Sequence, residues 1–418
     1  MLKIFKLPDL RKKIIFTLFI IAIFRLLAHI PVPGVDTSSI KAYLEKSVIF
    51  GFFDLFSGGG FQNFSIVTLG LGPYINASII IQLLTMLIPS LEEMAKEGEY
   101  GQEKINMYTK VLAIPMAFVQ AFGIYFLLSK QGIINSLGGF DVILLMLTFT
   151  AGSMLLVWLG DLLTEKGVGN GISALIFVSI ISRLPNSALS AVTGIMSSNY
   201  LQTVIVLLLI LLTIIAVVLV NEGTRNVLLE YGRSSERSRK VTNYLPIKIN
   251  QAGVIPIIFA VSIVSIPGMV SGPFMASGKP ALVNIGAFMA RYFEQKSLSY
   301  NALYFVLVVA FTFFYTFLQF NPEKIAEDVK KRGGFIPGVR PGTSTAQYLK
   351  RIVSRITLMG SLFLGLIAIL PYFMNFIFGP NVISIGGTSL LIAVSVVLET
   401  VRQVESLTVT RSYEKFLG

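Results

Sequence analysis

The 418 residues are 54% apolar and only 13% charged, about half the charged fraction of a soluble domain, which excludes an ordinary water-soluble enzyme. The single histidine, His29, and the absence of cysteine exclude disulfide frameworks, thiolate chemistry, zinc fingers and His-rich metal sites; no catalytic residue, metal or cofactor is expected. A net charge of +12 in so apolar a chain points to membrane orientation and anionic lipid before nucleic acid.

A helix needs about 20 mostly apolar residues to cross a bilayer. Ten such segments occur in order: Ile14 to Ile30, Ile66 to Ile88, Val111 to Leu128, Val142 to Leu159, Ile172 to Ile181, Leu201 to Val220, Ala252 to Val270, Leu303 to Phe320, Ile356 to Phe376 and Val382 to Leu398. The fifth is the shortest. The first is expected to stay in the protein, because Pro31-Val32-Pro33-Gly34 follows it without a small-residue cleavage pattern.

Alternating spans place the N-terminus, the loops after spans 2, 4, 6 and 8, and the C-terminus on one side. That side collects most of the lysine and arginine, including Arg237, Arg239 and Lys240 after span 6 and Lys330, Lys331, Arg332 and Arg340 after span 8. The opposite side holds Lys41, Lys46, Lys130, Arg183, Lys279, Arg291 and Lys296. Positive charge marks the cytosolic face, so both termini and both long basic loops are expected in the cytosol of a plasma-membrane protein. Arg25, inside span 1, reads as a side chain snorkelling to the near interface.

Five spans per half make the second half cross in the opposite sense to the first, an inverted repeat over residues 1–184 and 185–418. Span 2 is interrupted by Gly70, Gly72 and Pro73, and its counterpart, span 7, by Gly253 and Pro256. Spans 5 and 10 open on Gly169-Asn170-Gly171 and Gly386-Gly387. Matched interruptions of this kind point to a central pathway between repeats. No carboxylate, histidine or lysine sits mid-span; the interior polar groups are chiefly Asn76, Gln82, Gln120 and Gln319. That argues against an ion-coupled solute carrier, and with no GxxxxGK[ST] loop any nucleotide-driven motor is a separate protein. A lipid scramblase or insertase, the other alternative, would need a hydrophilic groove open to lipid. Between spans 1 and 2 lies Phe52-Phe53-Asp54-Leu55-Phe56-Ser57-Gly58-Gly59-Gly60, apolar, glycine-rich and too short to span.

Several stretches carry a resemblance. FSIVTLGLGPYINASIIIQLL (Phe64 to Leu84) and EKGVGNGIS (Glu165 to Ser173) resemble the two signatures of the SecY family, the channel subunits of the protein-conducting translocase. Ile30-Pro31-Val32-Pro33-Gly34, the FSGGG element, GGFIPGVRPG (Gly333 to Gly342) and GTSLLI (Gly387 to Ile392) are similar to that family in the same order.

The resemblance implies an all-α polytopic protein of ten transmembrane helices in two inverted five-helix halves, a clamshell around a central pore for unfolded polypeptides. Leu71, Ile75, Ile172, Ile176, Ile258 and Ile392 would form the pore ring. The plug, about residues 53–64, would include Asp54, Leu55, Phe56, Ser57, Gly58, Gly59 and Gly60. A lateral gate between spans 2 and 7, with Gln82 and Thr85, would release apolar segments into lipid. The cytosolic loops, about 221–250 and 321–351, would dock the SecA ATPase or the ribosome and its RNA through Arg340, Lys330, Lys331, Arg332, Arg237, Arg239 and Lys240. SecE and SecG are the further implied partners, with secretory and membrane-protein precursors as substrates.

Overall fold

The computed structural model describes residues 8–32, 57–130, 132, 138–182, 200–231, 243–275, 277, 279–294, 296–378 and 387–417. In chain order they form α1 (Pro8–Leu27), α2 (Gly72–Leu87), α3 (Pro89–Lys96), α4 (Glu99–Lys130), α5 (Gly139–Lys166), α6 (Gly171–Ser182) and α7 (Tyr200–Glu222). Then follow β1 (Thr224–Tyr231), β2 (Asn243–Lys248), α8 (Ile255–Met275), α9 (Pro280–Tyr292), α10 (Leu298–Gln319), α11 (Pro322–Lys331), β3 (Gly334–Phe335), α12 (Thr343–Phe378) and α13 (Gly387–Leu417). Each of the ten apolar segments meets one helix: α1, α2, α4, α5, α6, α7, α8, α10, α12 and α13.

Among the described residues, six helices are long and apolar enough to cross a membrane, within α4, α5, α7, α8, α10 and α12. The pair α2 and α3, bent by 107° at their junction, makes a seventh. Pro89 at the start of α3 causes that bend, since it cannot donate to the preceding turn. Apolar side chains point outward as well as inward: α7 exposes Leu207, Leu208, Leu211, Leu212, Ile215 and Leu219, a surface stable only against acyl chains. This is a multi-pass membrane protein.

The chain forms two compact units. One comprises Met1–Ser190, Ser265–Ser297 and Val396–Gly418, the other Ala191–Val264 and Leu298–Ser395. In the first, α4 packs against α2 and α5, and α1 against α5. Ala113, Ala117 and Ala121, spaced four apart on α4, are fully buried, the small-residue stripe that lets membrane helices approach closely. Lys110 and Asp161 pair at 2.7 Å between α4 and α5. Gly152, midway along α5, leaves room for the Ile66 carbonyl, which any Cβ there would overlap. Irregular backbone therefore lies beside the middle of a membrane-spanning helix.

In the second unit α10 and α12 pack along each other, with Phe305 seated over Gly365. The helix α12 starts at Thr343, thirteen residues before the apolar segment read from the sequence, an extension of about 20 Å. There Leu349, Ile352 and Val353 join Val227, Leu229 and Ile247 in a small core. Above it lies a three-stranded sheet in the order β2-β1-β3. β1 pairs antiparallel with β2, Val227 opposite Leu245, and with β3, Glu230 opposite Phe335.

Candidate functional site

The glycine and proline interruptions of spans 2 and 7 are the places where helices begin. Gly70 (φ 58°) stands three residues ahead of Pro73, and Gly253 (φ 65°) three residues ahead of Pro256. Each glycine supplies a left-handed turn that other residues rarely adopt. Each proline occupies the first helical turn, where its missing N–H costs no intrahelical bond. Ile75 and Ile258 therefore take the same place, five residues after the glycine and one turn into α2 and α8. Both are buried, as is Leu71.

The helix α6 also opens in a built turn. The Gly171 N–H donates to Thr164 Oγ1 at 2.9 Å, and Asn170 Oδ1 accepts from the Ser173 N–H at 3.2 Å, a side-chain cap for otherwise unpaired donors. A Cβ on Gly171 would overlap the Gly160 carbonyl of α5, so the GNGIS sequence is a close-packing requirement. Ile172 is half-buried with its Cγ1 over Gly160, and Ile176 is buried. Ile392 on α13 is buried too. None of the six aliphatic positions is exposed, whereas Ile15, Leu18 and Phe19 on α1 are each 58% exposed or more.

Asp54, Leu55 and Phe56 lie outside the described residues. Ser57, Gly58, Gly59 and Gly60 form a turn in which all but the half-buried Gly59 are buried. Ser57 Oγ accepts from the Phe61 N–H at 2.9 Å, and the Gly60 carbonyl accepts from Ser65 N–H at 2.8 Å. Gly58 (φ 65°) faces Phe24 of α1 and Ser179 of α6, and a Cβ there would stand 2.7 Å from the Phe24 ring. Arg25 corrects the snorkelling expectation: its Nη1 donates to the Gly58 carbonyl at 2.6 Å. Asn63 Nδ2 donates to the Ala28 carbonyl, and Val32 and Phe64 share a backbone bond at 3.0 Å. Phe64, buried at φ 45°, packs edge-on to Phe149 at 5.2 Å. The segment from Ser57 is thus tied to α1, to the chain following it, and to α5.

On α2, Gln82 Nε2 donates to Ser78 Oγ at 3.2 Å, and Thr85 Oγ1 to the Gln82 carbonyl at 2.7 Å. Both bonds stay within the helix. Gln82 Oε1 is buried without a partner.

The basic loops form one platform, which separate reading of each loop missed. Asn321 Oδ1 caps α11, accepting from the N–H groups of Glu323 and Lys324 at 3.0 and 3.1 Å. Lys330, Lys331 and Arg332 are exposed at its end, with Lys331 paired to Glu327 at 3.0 Å. Arg340 is exposed between Gly338 (φ 79°) and Gly342 (φ 104°). Its carbonyl accepts from buried Thr345 Oγ1 at 2.9 Å, and buried Ile336 anchors the loop in the small core. The loop is thus fixed through backbone while the guanidinium stays in water. Arg237, Arg239 and Lys240 lie outside the described residues, between β1 and β2.

The model of the SecY family matches residues 65–401. The chain belongs to the SecY family. It is 41% identical to the protein translocase subunit SecY of Halalkalibacterium halodurans over 428 aligned residues, covering 99% of this chain and 98% of the relative. Identity to the Thermotoga maritima subunit is 40%, with 99% and 96% covered. Among solved structures, a protein-conducting channel matches with a TM-score of 0.68 at 20% identity, covering 96% of this chain and 93% of the other. Sec61 from the canine ribosome-channel complex matches with 0.65 at 19% identity, covering 97% and 96%. The fold is that of these channels.

Within this SecY-family chain, several polar residues matter that sequence reasoning passed over. Ser153 Oγ donates to the Gly70 carbonyl at 2.9 Å, and Asn250 Nδ2 to the Gly253 carbonyl at 3.2 Å. Asn250 also donates to Asn221 Oδ1, whose Nδ2 donates to Ser395 Oγ at 2.9 Å. Gly70 and Gly253 therefore each have their carbonyl held by a neutral side chain. The available signal was their position: Asn and Ser in apolar surroundings, close in sequence to a Gly-x-x-Pro or at the middle of a span.

Proposed function

We propose that this chain is the channel subunit through which unfolded secretory polypeptides cross the membrane and from which apolar segments pass sideways into lipid. The observation that carries the proposal is the withdrawal of Leu71, Ile75, Ile172, Ile176, Ile258 and Ile392 from the exposed surface, on or beside helix openings whose polar groups neutral side chains take up. A constriction of branched aliphatics excludes water and ions by dewetting when idle. It offers a passing chain no hydrogen bond, so a substrate of arbitrary sequence leaves as readily as it enters.

In this reading the Asp54 to Gly60 element is the plug, and the Arg25 bond to Gly58 fixes its base. Gln82 and Thr85 belong to the lateral gate. Membrane hydrogen bonds average about 0.6 kcal/mol, so a gate with few of them opens readily, and segments of about 20 apolar residues gain by leaving for lipid. The repeated Gly-x-x-Pro openings support two halves of opposite sense, 1–184 and 185–418. The basic platform supports a plasma-membrane protein with cytosolic termini, drawn to anionic lipid on that face.

Energy would come from a partner. Arg340, Lys330, Lys331 and Arg332, with Arg237, Arg239 and Lys240, suit carboxylates of the SecA ATPase or phosphates of ribosomal RNA. The solved Sec61 and Ssh1 channels bound to ribosomes favour such a surface. SecE and SecG complete the proposed assembly. The chain lacks cysteine, which makes the test direct: Ile75→Cys and Ile258→Cys should each crosslink to a cysteine in a stalled precursor. Absence of crosslinks at both positions, with the same precursor still crosslinking to its motor, would refute the channel reading.

A further inference from the structure

The helix α9, outside every site described above, divides its surface among three environments. With about 100° of turn per residue, Leu282, Val283, Gly286, Met289 and Phe293 share one face, and all are buried or half-buried. A second face carries Ala281, Ile285, Phe288 and Tyr292, all exposed, with 57% of Phe288 uncovered. The rings of Phe288 and Tyr292 lie together at 4.5 Å. A third face carries Asn284, Arg291 and, just past the helix, Glu294, also exposed. A helix in water has no use for the second face, and one within hydrocarbon has none for the third.

Its depth is fixed by Gly286. A Cβ there would stand 2.8 Å from the Met275 nitrogen and 2.9 Å from the Ser271 carbonyl oxygen, so α9 crosses directly on the backbone of α8. That crossing lies at the end of α8 remote from β2, where the apolar window Ile255–Gly272 closes. An 18-residue window spans about 27 Å, close to the hydrocarbon thickness. The crossing is therefore at the boundary of the acyl region. Helix α8 itself exposes apolar side chains in this half, Ile266 at 52% and, at the crossing, Met275 at 48%. Lys279 before α9, Arg291 in its last turn and Lys296 beyond it outnumber Glu294, and three cations at headgroup depth match anionic phosphates.

We propose that α9 is an interfacial anchor. The Ile285, Phe288 and Tyr292 face inserts between acyl chains of the external leaflet, and Lys279, Arg291 and Lys296 engage the phosphates of anionic lipid. The anchor holds the outer end of α8 at a set depth. This inference takes the external side from the proposed topology, rests otherwise on α8 and α9, and does not depend on what the protein conducts.

The chain has one tryptophan, Trp158, so Trp158→Phe gives a dark background. Full-length protein carrying Phe288→Trp, and separately Tyr292→Trp in case the first fails to insert, is reconstituted in phosphatidylcholine–phosphatidylglycerol vesicles. Lipids brominated at the 6,7 positions should quench either probe at least about twofold and more than lipids brominated at 11,12. Asn284→Trp should ignore both and respond to aqueous iodide. Arg291→Gln with Lys279→Gln should remove the dependence of that quenching on phosphatidylglycerol, and added inorganic phosphate should not change it. Iodide access without bromolipid quenching at both Phe288 and Tyr292 would overturn the anchor and mark the face for a protein partner. Stronger quenching at 11,12 than at 6,7 would overturn the boundary depth.

Discussion

Two regions, the irregular backbone from Ser57 to Leu71 and the platform built from β1, β2, α11, β3 and the first turns of α12, solve opposite problems. The first lies beside the middle of α5, where no water is available, and short neutral side chains take up its polar groups: Ser57, Ser65, Thr68 and Ser153. Among the described residues a charged side chain, Arg25, donates to the Gly58 carbonyl. The platform is outside the membrane, builds its own core from Val227, Leu349 and their neighbours, and leaves Arg340 and Lys330 in water. Non-helical backbone at membrane depth persists only where protein satisfies it; backbone at the surface needs only a frame, and its side chains are free for a partner.

The largest effect should come from Gly152→Val. Its Cβ would overlap the Ile66 carbonyl, and overpacking of this kind costs about 1–3 kcal/mol or more. Thermal unfolding in detergent should show a large loss of folded protein, and wild-type stability would show that the Ser57 to Leu71 backbone is not seated on α5. Next, Arg340→Glu should abolish translocation into reconstituted vesicles while shifting stability by no more than about 0.5 kcal/mol, because the fold uses only the arginine's carbonyl. Normal translocation would remove the platform from the docking role. A smaller effect on transport is expected of Arg25→Met, although it deletes a charge-assisted hydrogen bond worth about 1.5–3 kcal/mol. Resting ion leak should rise while precursor transport continues; unchanged leak would separate Arg25 from the seal.

The same contrast explains what could be read from the residues alone. Hydropathy located ten helices because lipid-facing and buried positions are both apolar, and the bias of Arg and Lys located the platform. Hydropathy could not show that α12 continues from Ile356 back to Thr343, since Lys350, Arg351 and Arg355 interrupt the apolar run while Leu349, Ile352 and Val353 keep a buried face. Pairing of β3 with β1 joins residues about a hundred positions apart, and no local pattern encodes it. Gly70 and Gly253 were visible as punctuation, but whether such a glycine kinks a helix or starts one depends on what holds its carbonyl. Ser153 and Asn250 do that from elsewhere in the chain. Arg25 was visible as a charge in a span, and only the fold shows Gly58 within its reach.

The central claim is that a constriction of aliphatic side chains seals the resting membrane. Single-channel recording of idle Ile258→Asn in planar bilayers tests it most directly, because one amide in place of a buried apolar group should wet the neck. The expected result is a clear ionic conductance where the wild type is silent, together with passage of precursors bearing defective signal sequences. Conductance indistinguishable from wild type, with the protein correctly inserted, would contradict the account.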